Sequence, residues 1–460
     1  MLFSNKAINR KKSQRERLIH ESTSKCAASM TVLSIMPTSR GRDDTRQSIS
    51  STWCQREASN GVYSEGGWDP ISCGTMHVTT KGIIFMFLIS ILLFYISEKI
   101  STLQRFIPVP SWAPNTCPVE ISEQTITPLS DTKDFLVSAY MDQRVNGFDI
   151  RIIGIFEKDS VQPLHCLFCC AGQSSRTTPA TIRHHPQSFG FPFTPADVMC
   201  QIPQNCNPTH VSVLTKQDKN LVLNRTWLPI RNLKTKGSEE KKLQFNFTVC
   251  ISNLFGDYNN VLQFAQTLEM YRLLGVNRVV IYNTSCGPEL DLLLQSYSQE
   301  GFVEMVDWPI DKHLNPSHGW LHSEHGGDIH YYGQLITLNE CIYRSMDRSR
   351  YVLLNDIDEI IMPYQHDNLG SLMNVLQQQQ PNVRMVEITS VHEVIKVFGE
   401  QYKVPPDVCR IIHVRVALRG SLKLEELNVD KRLWDFTDRL IPRVDDALRR
   451  AGLLSSGEKS

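Results

Sequence analysis

At 460 residues the chain exceeds the size at which a single hydrophobic core stops growing, so more than one domain or a sizeable appendage is expected. Its 48 basic and 48 acidic residues cancel to a formal net charge of zero, which removes the electrostatic ground for a nucleic-acid partner. The 13 cysteines include no C-x2-C pair repeated at zinc-ribbon spacing, and those from Cys117 onward are even in number, which suits disulfides in an oxidising compartment.

Residues 1–75 are polar, rich in Ser, Thr and Arg, and without sustained period, so 1–81 reads as a disordered cytoplasmic tail. Met76 opens "MHVTTKGIIFMF", which alone would be a short tail before an anchor; a translation start there would leave 1–75 unmade. From Gly82 to Ser97 no charge occurs, and Lys81, Glu98 and Lys99 bracket the run. A helix over 82–97 covers about 24 Å, enough for a thin bilayer. A signal peptide would want a small-x-small cleavage site, and a buried core helix rarely stays apolar on every face. The upstream positive charge favours a type II signal-anchor with a luminal remainder.

Residues 98–133 carry Pro108, Pro110, Pro114, Pro118 and Pro128 and read as an extended stem. Over 134–243 short β-like runs such as "FLVSAY", "DIRIIGIF" and "HVSVL" alternate with Pro, Gly and Asn. This predicts a small β-rich luminal region cross-linked among Cys166, Cys169, Cys170, Cys200 and Cys206, with the pairing left open. Sequons at Asn224, Asn246 and Asn283 agree with luminal exposure without establishing it.

The organisation changes across 244–447. "QFNFTVCIS", "RVVIY", "FVEMVDW" and "RYVLLN" predict strands, separated by helices "NNVLQFAQTLEMYRLLG", "PELDLLLQSYSQEG" and "GQLITLNECIYRSM". Such alternation predicts an α/β fold with a mostly parallel sheet covered by helices on both faces, and ligands bind outside the carboxyl ends of such strands. There "YVLLNDIDEIIMP" places Asp356 and Asp358. Two aspartates at a strand exit suit a hard cation such as Mg2+ or Mn2+ and, through it, a nucleoside diphosphate.

Competing chemistries fit less well. No G-x-x-x-x-G-K-[ST] phosphate loop occurs. An aspartyl-phosphate enzyme would want a hydroxyl residue soon after D-x-D, where Ile360 and Ile361 stand instead. The loop "HLNPSHGWLHSEHGGDIHYYG" offers His322 and His325 in H-x-x-H, without the H-E-x-x-H of zinc hydrolases. It reads better as a loop near a sugar or nucleotide, with Trp320, Tyr331 and Tyr332 as stacking surface.

The segments "FTVCISNLFGDYNNVLQFAQTLEMYRLLGVNRVVIYNTS", "HYYGQLITLNECIYR" and "YVLLNDIDEIIMP" together resemble glycosyltransferase family 92, strongly over 244–363 and loosely around "IIHVRV". The resemblance implies a GT-A fold, a type II Golgi membrane protein, and inverting transfer of galactose from UDP-galactose to a glycan acceptor in β-1,4 linkage. It implies that Asp356 and Asp358 hold Mn2+ with His413 as a further ligand, and that Arg415 meets phosphate. Asn253, Asn283 and Gln334 would then face the donor.

An inverting displacement also needs a carboxylate to deprotonate the acceptor hydroxyl. Glu393 ranks first, ahead of Glu387 and Glu359. Between "RMVEITS" and "IIHVRV" the chain is shorter than the family pattern, so the acceptor side is abridged; a second reading is a non-catalytic luminal member that keeps the donor site. Residues 448–460 read as a tail.

Overall fold

The computed structural model describes residues 30–34, 117, 120–159, 162–170, 176–215, 226–233, 243–389, 392, 394, 397–414 and 430–455. Two sheets dominate it. The first runs in the order β13 (Val303–Asp307), β12 (Arg278–Asn283), β11 (Phe245–Leu254), β14 (Ser349–Asn355), β1 (Met30–Ser34), β16 (Val383–Thr389) and β17 (Glu400–Lys403). Strands β13, β12, β11 and β14 are mutually parallel, whereas β1 pairs antiparallel with both of its neighbours.

The parallel strands are apolar on both faces because both faces are covered. Val249, Ile251, Val279, Ile281 and Leu353 pack against helices α1 (Val261–Leu273) and α2 (Pro288–Gln299). Asn260 caps α1 by accepting from the Gln263 amide, and Gly275, at φ +95°, closes it in the left-handed region where a side chain would be strained. Pro288 starts α2, where a missing N–H costs nothing.

The intervening residues Cys250, Val280, Tyr282, Val352 and Leu354 point the other way. They meet helix α3 (Gln334–Ser345) and the side chains of Val137, Tyr140, Ile153 and Ile155. Those four come from the second sheet, ordered β2 (Glu120–Ile121), β10 (Thr226–Pro229), β9 (Pro208–Leu214), β6 (His165–Cys170), β7 (Arg176–His184), β8 (Phe193–Cys200), β5 (Ile150–Glu157), β4 (Phe135–Met141) and β3 (Thr127–Pro128).

This corrects the expected fold class of a mostly parallel GT-A sheet with helices on both faces, a small β-rich region and one transmembrane helix. The larger sheet is the nine-stranded one, and every pairing in it except β2–β10 is antiparallel. One face of the parallel strands therefore meets strands as well as α3. Among the described residues no helix is long and apolar enough to cross a membrane, and 82–97 lies outside them. Strand β1 also bears on the anchor: a single crossing at 82–97 would put Met30–Ser34 and its partners β14 and β16 on opposite sides of the bilayer.

Disulfides staple the antiparallel sheet: Cys117–Cys169, Cys166–Cys200 and Cys170–Cys206. All five cysteines expected to cross-link do so, and Cys117 is the sixth. A fourth bridge, Cys250–Cys341, ties β11 to α3 across 91 residues of sequence. Closing a loop of that length stabilises by about 4.6 kcal/mol in the chain-entropy account. The paired Cys250→Ala, Cys341→Ala variant is expected to lose stability on that scale, read from its urea midpoint.

The two sheets meet at a buried acid. Glu340 on α3 is 1 % exposed and accepts from Ser138 Oγ (3.0 Å) and Tyr140 Oη (2.5 Å) of β4, from Tyr282 Oη of β12, and from Arg344 Nε (2.9 Å). Burial alone raises a carboxyl pKa, but Arg344 and the hydroxyls outweigh it and bring Glu340 down to about 2 from the ordinary 4.5. A depressed folded-state pKa means stability that is present above pH 4.5 and lost as pH falls towards 2. Glu340→Gln is expected to cost about 3 kcal/mol at neutral pH by leaving Arg344 without its buried partner, and to flatten the acid limb of the unfolding curve in that window.

Candidate functional site

Strand β14 delivers its last side chain, Asn355, into the core, and the chain then turns through Asp356, Ile357 and Asp358 into β15 (Glu359–Pro363). Helix α1 fixes this turn. Thr267 Oγ1 donates to the Ile357 carbonyl (2.8 Å), and Gln263 Nε2 donates to the carbonyl of Val414 (2.8 Å), whose own amide donates to Asp358 O (2.7 Å). Strand β15 pairs antiparallel with β18 (Cys409–His413) in a register that sets Glu359 opposite His413.

Three ligand-bearing groups converge here. Asp356, Glu359 and His392 each present one donor atom, and the three atoms lie within 4.8 Å of one another. His392 Nε2 stands 3.7 Å from Asp356 Oδ1 and 3.8 Å from Glu359 Oε2, while His413 Nε2 meets Glu359 Oε1 at 2.7 Å. Ser252 Oγ of β11 and Gln334 Nε2 of α3 both donate to Asp356 Oδ1 at 3.2 Å, and Gln334 Nε2 also reaches Ser252 Oγ at 2.9 Å.

The electrostatics follow from crowding. Burial raises the Glu359 carboxyl, yet the imidazoles of His392 and His413 outweigh it and bring it to about 2. Burial also raises Asp356, helped by Glu359 and Asp358, against His392 and the Ser252 hydroxyl. For His392 burial disfavours charge, but Asp356 and Glu359 prevail and its pKa rises. Two carboxylate oxygens and an imidazole nitrogen in one small volume, with a third acid beside them, form a donor set that a divalent cation such as Mn2+ fits.

The expected site residues are only partly assembled in the expected way. Asp356 joins the cluster. Asp358 is half-buried next to it, and with burial its charge pushes the phenol of Tyr258 up to about 12. His413 sits against Glu359, outside the three clustered donor atoms, and Gln334, which opens α3, donates to Asp356. Asn253 Nδ2 is spent on the Tyr332 carbonyl and Asn283 Nδ2 on Cys286 Sγ (3.6 Å).

The amide oxygens of Asn253, Asn283 and Gln334 are nevertheless buried without a hydrogen-bond partner, which suits a ligand that brings donors such as hydroxyls. Glu387, on β16, is half-buried. Glu393 and Arg415 lie outside the described residues. Sequence reasoning passed over His392, one residue from Glu393, and treated Glu359 only as a base; the D-x-D-E spacing was the available signal for the second. Among the described residues the histidine-rich loop forms no three-ligand cluster.

Residues 245–385 match the model of glycosyltransferase family 92, which bears out the resemblance read from the three motifs. Two curated relatives, both from Caenorhabditis elegans, are similar to this chain. Beta-1,4-galactosyltransferase galt-1 is 22 % identical over 240 residues, covering 51 % of this chain and 52 % of that protein. Glycosyltransferase family 92 protein F13G3.3 is 24 % identical over 152 residues, covering 33 % and 29 % respectively. The chain thus spans about half the length of the first relative and less than a third of the second.

Calorimetric titration with Mn2+ checks the cluster. Glu359→Gln and His392→Ala are each expected to abolish or weaken binding by more than about tenfold, and His413→Ala, which frees the Glu359 carboxylate to rotate, by about 10- to 100-fold.

Proposed function

We propose that this chain is a metal-dependent inverting glycosyltransferase that moves galactose from UDP-galactose to a glycan acceptor in β-1,4 linkage. The observation that carries the reading is the Asp356–Glu359–His392 cluster, lying at the carboxyl end of β14 beside the ends of β11 and α3. The family match supports transfer of a sugar, and the printed name of the first relative supports galactose and the β-1,4 bond.

Asp356, Glu359 and His392 would hold the cation, with Asp358 adding negative charge nearby. Bound there, Mn2+ supplies Lewis-acid neutralisation of the charge that builds on the departing diphosphate. The chain's own residues do the positioning. Gln334 and Ser252 orient Asp356, His413 orients Glu359, and the amide oxygens of Asn253 and Asn283 accept from donor hydroxyls. In the displacement the acceptor oxygen bonds to the anomeric carbon, the bond to the diphosphate oxygen breaks with its electron pair leaving on UDP, and the acceptor proton passes to a carboxylate. Glu359 is a poor base because two imidazoles hold it ionised and engaged. Glu393 keeps that role in this proposal.

The four disulfides support a luminal, Golgi location, where such bonds persist. Incubation with UDP-galactose, Mn2+ and a glycan array, read by UDP release and product mass, is expected to give a galactosylated product in wild type. Asp356→Asn is expected to lower kcat/KM by at least about 100-fold. UDP binding without turnover on any acceptor would instead support the non-catalytic reading that the shortened segment before β18 suggests. Turnover that survives chelation of divalent ions would overturn the metal assignment.

A further inference from the structure

Beside the cluster lies an aromatic group that neither the metal nor the donor contacts account for. Phe255, just past the end of β11, and Tyr332, just before α3, stack with ring centroids 4.1 Å apart and planes only 7° from parallel. Both rings are half-buried. The imidazole of His318, itself exposed, stands edge-on to each of them, 5.1 Å from Tyr332 and 5.6 Å from Phe255. Tyr331 closes another edge at 5.6 Å from Phe255 and 89° to it. His318 Nε2 and Tyr332 Oη, 3.4 Å apart, form a polar rim.

The backbone is distorted to hold this stack. Tyr331 and Tyr332 adopt φ of +39° and +54°, the left-handed region that bulky residues avoid. Two donors lock the distortion: Asn253 Nδ2 and Trp308 Nε1 (2.9 Å) both donate to the Tyr332 carbonyl. Packing alone would favour burying these rings, yet they stay partly open, on the two segments whose neighbours Ser252 and Gln334 hold Asp356.

We infer that Phe255, Tyr332 and His318 form the acceptor subsite, a platform that takes the apolar face of a hexopyranose, with hydroxyls meeting His318 and Tyr332 Oη. This rests on the transferase reading for its role as acceptor subsite, though sugar binding itself does not. A pyranose needs accessible aromatic surface and polar partners at its edge; both rings are partly accessible, and His318 Nε2 and Tyr332 Oη supply the polar edge. A nucleobase sandwiched between the rings would require them to stand about twice as far apart.

Saturation-transfer NMR with methyl β-D-galactopyranoside tests the platform without turnover, beside titration of the same samples with UDP and Mn2+. Wild type is expected to transfer saturation to the ring protons. Phe255→Ala is expected to lose the signal while UDP–Mn2+ affinity stays within about twofold, and Tyr332→Phe, which keeps the ring but removes the Oη, to retain a weaker signal. In turnover assays Phe255→Ala should raise acceptor KM about tenfold with donor KM unchanged. Thermal melts matching wild type show that the variants are folded.

Absence of signal from wild type, or an undiminished signal in Phe255→Ala, overturns the platform. Parallel loss of UDP–Mn2+ affinity overturns it in favour of a nucleotide role for the stack. Sugar binding that depends on Phe255 in a protein that never turns over leaves the platform standing and removes the transferase reading.

Discussion

A single buried carboxylate sets the terms on which the two sheets can meet. Glu340 cannot stay ionised at 1 % exposure unless its oxygens are saturated, and the groups that saturate them come from β4, β12 and its own helix. Any shift of the antiparallel sheet relative to the parallel strands would strand a charge in the core, at a cost of several kcal/mol. Around that point the apolar contacts of Val137, Ile153 and Ile155 with Ile336 and Val280 add area without direction. The acid supplies the direction. Cys250–Cys341 then prevents α3 from leaving β11, so Gln334, at the start of that helix, keeps its place beside Asp356.

The local half of this architecture was legible in the sequence. Apolar runs such as "RVVIY" and "YVLL" gave the parallel strands, the run "NNVLQFAQTLEMYRLLG" contained α1, and the D-x-D-E cluster fell at the strand exit as expected. The tertiary half was not. Runs over 134–243 show their period, but nothing local states that β4 and β5 will cover a face of the other sheet in place of further helices. Strand β1 lies far from its partners in sequence and carries no motif, so its insertion between β14 and β16 has no local signal.

The site divides in the same way. Asp356 was named because strand, turn and acids are contiguous. His392 was missed because it follows β16 and reaches Asp356 only through the fold. His413 carries no local signal for the acid it meets: the β15–β18 register sets it against Glu359. The loop from His313 to Tyr332 was read as a stacking surface from composition. Its distinguishing feature, two consecutive tyrosines in the left-handed region, is invisible in residue types because Tyr has no preference for that conformation.

The β15–β18 ladder has one more consequence. It runs over only five residues of each strand, and in an antiparallel pair successive side chains point to opposite faces. A slip of one residue would turn Glu359 or His413 away from the other and leave both strands otherwise well paired. The register held by main-chain hydrogen bonds therefore decides whether His413 reaches Glu359, and that side-chain contact in turn directs the carboxylate. Inserting or deleting a single residue within β15 or β18 would erase that pairing, whereas a length change in the loops between the two strands would leave the register intact.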